Sequence, residues 1–202
     1  MSDTVQPQSL SEDIAFIRAL AVEGQNTRHR GEIGLAAGLI WGSASLYDWA
    51  VWAKLMSPIG GYASIGWIWL VATVVFMVVG APIGMYRRSG NRAIGAAWGS
   101  LGAGCWTITA AIALAAWRTN QGVMFTLLPP IIMALYGGAW LLSATVMRRW
   151  WMCWVGVGCL LSSLLLAYVI AQPLEYLLFG LALYLFAALP GLLVLLRQRQ
   201  AA

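Results

Sequence analysis

Charged residues are scarce in this sequence. Only 9% of its 202 residues are Asp, Glu, Lys or Arg, whereas 61% are hydrophobic. A water-soluble domain carries about 25% charged residues, because water has to wet its surface. This composition excludes a water-soluble globular fold and indicates that lipid surrounds much of the protein.

Residue types that bind metals or catalyse reactions are also scarce. His29 is the single histidine, so neither a bis-histidine haem, nor a histidine metal cluster, nor a Ser/His/Asp triad is expected. The three cysteines lie inside apolar runs and lack CxxC spacing; they are Cys105, Cys153 and Cys159. We therefore expect no cofactor, no metal and no enzymatic activity.

The sequence does contain six long apolar stretches. A helix needs about 20 apolar residues to cross the ~30 Å hydrocarbon layer of a bilayer. We predict an all-α membrane protein, with residues 32–197 forming a bundle of six transmembrane helices in three helical hairpins. The spans are expected at about 33–53, 62–86, 93–117, 123–147, 150–171 and 174–196. Pro129 and Pro130 either begin the fourth helix or kink it.

The distribution of basic residues favours one orientation in the membrane. Of the 12 Lys and Arg residues, all except Lys54 and Arg118 fall on one side of the six spans. Cytoplasmic loops carry an excess of Lys and Arg, so we predict that both termini, including a tail at 198–202, are cytoplasmic. The net charge of +5 is thus explained by orientation, and no nucleic-acid partner is expected.

Residues 1–31 form a polar segment before the first span, and a short amphipathic helix is predicted in it at about 10–23. Ser9 and Glu12 fit a capping box. The helix is net acidic, so we expect it to dock on protein rather than on anionic lipid. The partner would be the protein's own Arg-rich loops, a second copy, or a separate cytoplasmic or membrane protein. The candidate partner-binding residues are Ile14, Phe16, Ile17 and Leu20.

Glycines recur every four residues in two of the predicted spans. Gly34, Gly38 and Gly42 form one row in the first span, and Gly95 and Gly99 form another in the third. Small residues at this spacing let helix backbones approach closely in lipid. The rows predict helix packing, either within the core of one bundle or between the copies of a homo-oligomer.

Two carboxylates within the predicted spans are the strongest candidates for a binding site. Asp48 lies in the first span and Glu175 in the first turn of the sixth. An ionisable residue in the membrane is expensive and marks an ion, proton or cationic-substrate site by default. The structural alternatives are that Asp48 pairs with Lys54, Arg118 or a tyrosine, and that Glu175 is favoured by the helix dipole. Because both carboxylates belong to the non-cytoplasmic membrane face, they could share a site.

Tryptophan is unusually frequent, with 12 residues. Indole rings favour the membrane–water interfaces, so we expect two belts. The predicted cytoplasmic belt contains Trp140, Trp150, Trp151 and Trp154, and the opposite belt contains Trp52, Trp67, Trp69 and Trp117.

The run from Glu12 to Gly24, EDIAFIRALAVEG, resembles the opening of an uncharacterised family of small bacterial membrane proteins. Members of that family carry the segment D-[IL]-A-F-[ILM]-R-A-L-A-x-E-G, followed by six spans. The stretches Ala134-Leu135-Tyr136-Gly137 and Leu189-Pro190-Gly191 are similar to the same family. The resemblance implies a multi-pass protein of the bacterial inner membrane and implies no activity.

Three functional hypotheses follow from the sequence. The favoured one is an accessory or regulatory membrane protein that acts through protein–protein interaction, because the capped N-terminal helix points to a partner and the spans contain few polar groups. The alternative is a transporter of a small solute, ion or proton, with its site near the periplasmic face. The third is a structural subunit of a larger complex that associates with lipid or pigment.

Overall fold

The computed structural model describes residues 30–59, 64–86 and 92–200, and within these ranges the protein is helical and contains no strand. The predicted helix at 10–23, with its candidate partner-binding residues, lies outside the described ranges. The helices in chain order are α1 (Arg30–Trp52), α2 (Ser64–Tyr86), α3 (Arg92–Thr119), a 3-10 helix (Gly122–Leu127), α4 (Leu128–Met147), α5 (Trp150–Tyr168), α6 (Pro173–Leu183), a π-helical turn (Tyr184–Ala188) and α7 (Leu189–Gln200). The last three elements join end to end, and we call them the C-terminal rod.

Four helical stretches are long and apolar enough to cross a membrane. They are Ile94–Thr119, Gly122–Met147, Trp150–Tyr168 and Pro173–Arg197. Within α2 the stretch Gly66–Gly80 is apolar but shorter. The prediction of an all-helical protein is therefore confirmed for the described residues, and four of their helices qualify as membrane spans by length and composition.

Two prolines determine where the fourth span becomes α-helical. Pro129 and Pro130 lie in the first turn of α4, and the residues before them form the 3-10 helix. Amides of the first turn have no acceptor within the helix, so proline is tolerated there. Of the two predicted alternatives, the structure shows a helix start at Leu128 rather than a kink within a longer α-helix.

Pro190 follows the π-helical turn of the C-terminal rod. In that turn the amide of Leu189 donates to the carbonyl oxygen of Tyr184, five residues earlier. A proline has no amide hydrogen and its ring crowds the carbonyl four residues before it, here that of Phe186. The wider π turn accommodates the proline, and the rod continues through α7.

α1 runs antiparallel to the C-terminal rod and contacts it along most of its length. A Cβ atom on Gly38 would overlap the backbone of Ala188, and a Cβ on Gly191 would lie 2.5 Å from the carbonyl oxygen of Gly31. Glycine is therefore required at these two positions, because the backbones of the two helices touch there.

The other members of the first glycine row face the same rod. A Cβ on Gly34 would lie 3.3 Å from the Ala187 carbonyl oxygen, and one on Gly42 would lie 3.0 Å from the Tyr184 ring. The structure thus places Gly34, Gly38 and Gly42 at an interface within one chain.

The second glycine row is placed differently. A Cβ on Gly95 or on Gly99 would meet no atom within 4 Å among the described residues. α3 packs against α4 and the 3-10 helix, but this row does not take part in that packing. A role of Gly95 and Gly99 in contacts between copies stays a prediction.

The core of the bundle lies between α4, α5 and the C-terminal rod. Its buried members are Met133, Cys159, Leu166, Phe179, Ala182 and Leu183. The α4–α5 hairpin is closely packed, since a Cβ on Gly137 would lie 2.9 Å from the Gly156 carbonyl oxygen. α1 packs on the rod, and α2 packs on α1.

Candidate functional site: an enclosed pair of carboxyl groups

Asp48 lies on the inward face of α1. The buried residues of this helical stretch are Ala44, Ser45, Asp48 and Val51, which recur at the spacing of one helical face. This face turns toward the C-terminal rod and α2, so the side chain of Asp48 is only 1% exposed.

The carboxyl group of Asp48 has one hydrogen-bond donor. The indole N–H of Trp69, on α2, donates to Oδ2, whereas Oδ1 has no hydrogen-bond partner among the described residues. The Trp69 ring is itself held between two aromatic rings, with centroid distances of 5.9 Å to Trp41 and 6.4 Å to Phe179. Asp48 therefore faces a rigid aromatic surface that supplies a single N–H.

Glu175 lies in the first turn of α6 and is fully buried, with 0% exposure. Its Oε2 accepts the backbone N–H of Ala171 at 2.8 Å. Ala171 has a left-handed backbone with φ of 61°, and Gln172 after it is the N-cap of α6. The Glu175 side chain thus reaches back to the turn before its helix, much as the glutamate of a capping box does. Its second oxygen, Oε1, has no partner among the described residues.

The packing of α1 on the rod brings the two carboxyl groups to the same level, that is, to similar positions along the axes of the two antiparallel helices. Ser45 Oγ donates to the Tyr176 carbonyl oxygen at 2.7 Å, which fixes the register of the two antiparallel helices. Asp48 lies one turn further along α1 in the direction of Glu175, which precedes Tyr176. The phenol of Tyr176 interacts electrostatically with both Asp48 and Glu175.

No described basic residue forms an ion pair with either carboxyl group. The partners considered from the sequence for Asp48 were Lys54, Arg118 and a tyrosine; the hydrogen-bond donor in the structure is Trp69. A buried polar atom without a partner destabilises the fold by about 1–3 kcal/mol, and more when it is charged. Each such oxygen calls for an explanation, such as a bound water molecule, an ion or a proton.

A groove between α1 and α2 lies beside this pair. Its volume is about 490 Å³, and its wall is mostly aliphatic. Polar groups line it at two points, where Tyr47 Oη accepts the Ile59 N–H at 3.0 Å and Ser43 Oγ lies 2.7 Å from Tyr184 Oη. Neither carboxyl group lines the groove.

A second cluster of aromatic rings lies around Trp140, between α3, α4 and α5. The ring centroids of Trp98 and Trp151 lie 5.6 Å and 5.7 Å from that of Trp140. Trp98 donates to Ser143 Oγ at 3.0 Å. A cavity of about 60 Å³ adjoins these groups and the glycines of α1 and α7.

The tryptophans assigned to membrane belts from the sequence divide into two groups. One group is exposed, by between 52% and 79%, as a belt requires: Trp52, Trp67, Trp117, Trp150 and Trp154. Trp69 and Trp140 instead pack against the core cluster. Their assignment to the belts is corrected by this packing.

Of the residues proposed from the sequence, the structure brings Asp48 and Glu175 to one level. Sequence reasoning missed Trp69, Ser45 and Tyr176, which supply the donor, the register and the nearby phenol. The sequence does contain a signal for Ser45, because this polar residue lies one turn before Asp48 and therefore on the same face of α1. Among the described residues, no group of three or more His, Cys, Asp or Glu side chains could hold a metal ion.

No family model matches this chain, and no curated protein or solved structure shows significant similarity to it. The resemblance of residues 12–24 to a bacterial six-span family therefore stays a prediction.

Proposed function

We propose that this protein is a six-span membrane transporter that binds a small cation, the proton included, at Asp48 and Glu175. The observation that carries the proposal is the placement of two buried carboxyl groups at one level, each with one oxygen that lacks a partner among the described residues. Ionisable groups inside a membrane bundle line ion pathways and proton relays in many transporters.

The position of the pair between two helices also supports transport. Asp48 belongs to α1 and Glu175 to the C-terminal rod, and α1 additionally contacts α2 through Trp69. A change in the charge of either carboxyl group would alter contacts between separate helices, which is how binding could be coupled to a movement of the bundle.

The packing of α1 supports six spans rather than four. The rod stretch Pro173–Arg197 is long and apolar enough to cross the membrane. α1 contacts the rod along the part between Tyr176 and Gly191, so α1 would pass through the same membrane layer as the rod. α2 packs on α1. In this arrangement the positive-inside bias puts both termini in the cytoplasm of a bacterial inner membrane and the carboxyl pair near the periplasmic face.

Reconstitution into liposomes tests the proposal. The purified protein is placed under an imposed membrane potential, and the internal pH and the uptake of alkali cations are recorded. We expect a flux above that of empty liposomes, reduced at least tenfold by Asp48→Asn and by Glu175→Gln.

Glu32→Gln is the matched control, because it changes a carboxylate in the first turn of the same α1 helix. Its flux should equal that of the unmodified protein. If the two site variants carry the same flux as this control, or if the protein carries none for any cation or for protons, the proposal is wrong.

A role in protein–protein interaction is a second proposal, supported by the predicted capped helix at 10–23 rather than by the carboxyl pair. Its test is purification in mild detergent with and without residues 1–24. A stoichiometric partner that is lost on truncation would support it, and a protein that purifies alone in both forms would oppose it. A structural role in association with lipid or pigment stays a prediction from composition.

A further inference from the structure

We infer that the species held between Asp48 and Glu175 is a proton, and that the pair excludes metal ions and organic cations. This inference rests on the proposed cation-binding function and names the class of its substrate. It follows from two features of the site: its lack of space and its shortage of oxygen ligands.

Space around the pair is restricted. The Asp48 and Glu175 side chains are 1% and 0% exposed, and neither lines the 490 Å³ groove or the 60 Å³ cavity. Ala44 and Ala72 do line the groove and are buried. Ala44 lies one turn before Asp48 on α1, and Ala72 lies one turn after Trp69 on α2. An organic cation in the groove would have to displace these helices to reach the carboxyl group.

Oxygen ligands are too few for a metal ion. Calcium takes six to eight oxygens, and magnesium requires an octahedral set. Transporters often obtain such ligands from carbonyls of unwound helices, but α1 is an unbroken helix from Arg30 to Trp52. Its carbonyls near Asp48 are engaged within the helix. The pair offers the free oxygens Oδ1 of Asp48 and Oε1 of Glu175, with the Tyr176 hydroxyl close by.

One oxygen of each carboxyl group is already engaged. The Trp69 indole N–H and the Ala171 amide N–H each donate to a carboxyl oxygen, and the second oxygen of each group is left as the position for a proton. A proton needs only one oxygen, and it turns that oxygen from an acceptor into a donor while neutralising the charge.

The titratable groups that face the pair are few. Tyr176 interacts electrostatically with Asp48 and with Glu175. Tyr47 on α1 holds the Ile59 amide in the groove, and Tyr168 at the end of α5 is 84% exposed. Trp69, the contact from α2, does not titrate. Proton uptake at this level is therefore assigned to the two carboxyl groups.

Infrared difference spectroscopy of the full chain in lipid nanodiscs tests the inference. Acidification should produce a carboxylic-acid carbonyl band that is lost or altered by Asp48→Asn and by Glu175→Gln and retained in Glu32→Gln. At a pH where the band is half developed, saturating sodium, calcium or tetraphenylphosphonium should change its intensity less than twofold.

The outcomes separate the inference from the proposed function. If any of these cations abolishes the band, that cation displaces the proton; cation binding then stands and the restriction to protons is wrong. If neither pH nor cations change a band that depends on Asp48 or Glu175, both the proposed cation binding and its restriction to protons are wrong. The cation titration needs only the unmodified protein, so it remains decisive where a variant does not fold.

Discussion

The chemistry of Asp48 depends on one neighbouring side chain. A carboxyl group at 1% exposure has lost nearly all contact with solvent, and in the described part of the protein only the Trp69 N–H replaces that hydration. Hydrogen bonds to a buried acceptor matter chiefly because their removal leaves the acceptor unpaired. Trp69 therefore contributes to stability through this bond as well as through its ring.

At this scale we predict that Trp69→Phe destabilises the protein by about 1–3 kcal/mol beyond the loss of ring volume. The substitution keeps an aromatic ring between Trp41 and Phe179 but removes the only described donor to Asp48. Reversible unfolding in mixed detergent micelles measures the change.

A double-mutant cycle separates the hydrogen bond from packing. Asp48→Ala, which removes both carboxyl oxygens, is combined with Trp69→Phe, and the coupling free energy is compared with that of Asp48→Ala and Trp41→Phe. Trp41 packs in the same aromatic cluster. Equal coupling energies in the two cycles would mean that the Trp69 N–H has no special role.

Among the helices, two glycine rows with the same spacing have different surroundings. The first row faces the C-terminal rod, where backbones touch at Gly38 and Gly191. In the second row, a Cβ on Gly95 or on Gly99 would meet no atom of another described element within 4 Å. Spacing alone could not distinguish the two, because it reports which residues share a face and does not report what that face contacts.

We predict opposite effects for alanine in the two rows. Gly38→Ala should destabilise the bundle by about 1–3 kcal/mol, because the new methyl group overlaps the Ala188 backbone. Gly99→Ala should be neutral or stabilise by up to about 1 kcal/mol, because alanine favours helix and the site is open.

Thermal unfolding of both variants in detergent checks this prediction, and Gly99→Ala is the control for the general effect of a helical Gly→Ala change. A loss of stability in Gly99→Ala that depends on protein concentration would instead show that the second row packs between copies. Equal effects in both variants would contradict the described packing of α1.

For the whole molecule, the orientation in the membrane determines which compartment the carboxyl pair lies nearer to. The antiparallel packing of α1 puts its first residues beside the end of the C-terminal rod, while the carboxyl pair lies toward the other end. α1 and α3 both end on the side of the pair; Lys54 follows α1, and Arg118 lies in the last turn of α3.

We predict that cysteines placed at Lys54 and Arg118 react with a membrane-impermeant maleimide added to intact cells, and that one at Arg148 does not. The background lacks the native Cys105, Cys153 and Cys159. Permeabilised cells should show labelling at all three positions. Labelling of position 148 in intact cells, or its absence at 54 and 118, would overturn the six-span arrangement and the periplasmic position of the site.

The sequence by itself predicted the lipid surroundings and determined the secondary structure of this protein. Its scarcity of charge excluded a water-soluble fold, and helices occupy each of the six predicted segments. The start of α4 at the Pro129-Pro130 pair was one of two alternatives that the sequence offered. These features are local, because apolar length and proline chemistry act within one segment of the chain.

Only the tertiary structure decided which polar atoms meet. The sequence did not predict the hydrogen bond between Asp48 and Trp69 or the one between Ser45 and Tyr176, because both bonds form where separate helices pack. The two glycine rows likewise differ only in their neighbours. Asp48 and Glu175 were recognisable as expensive residues from the sequence, but their common level and unpartnered oxygens follow from the register of α1 on the C-terminal rod, which depends on contacts between distant segments.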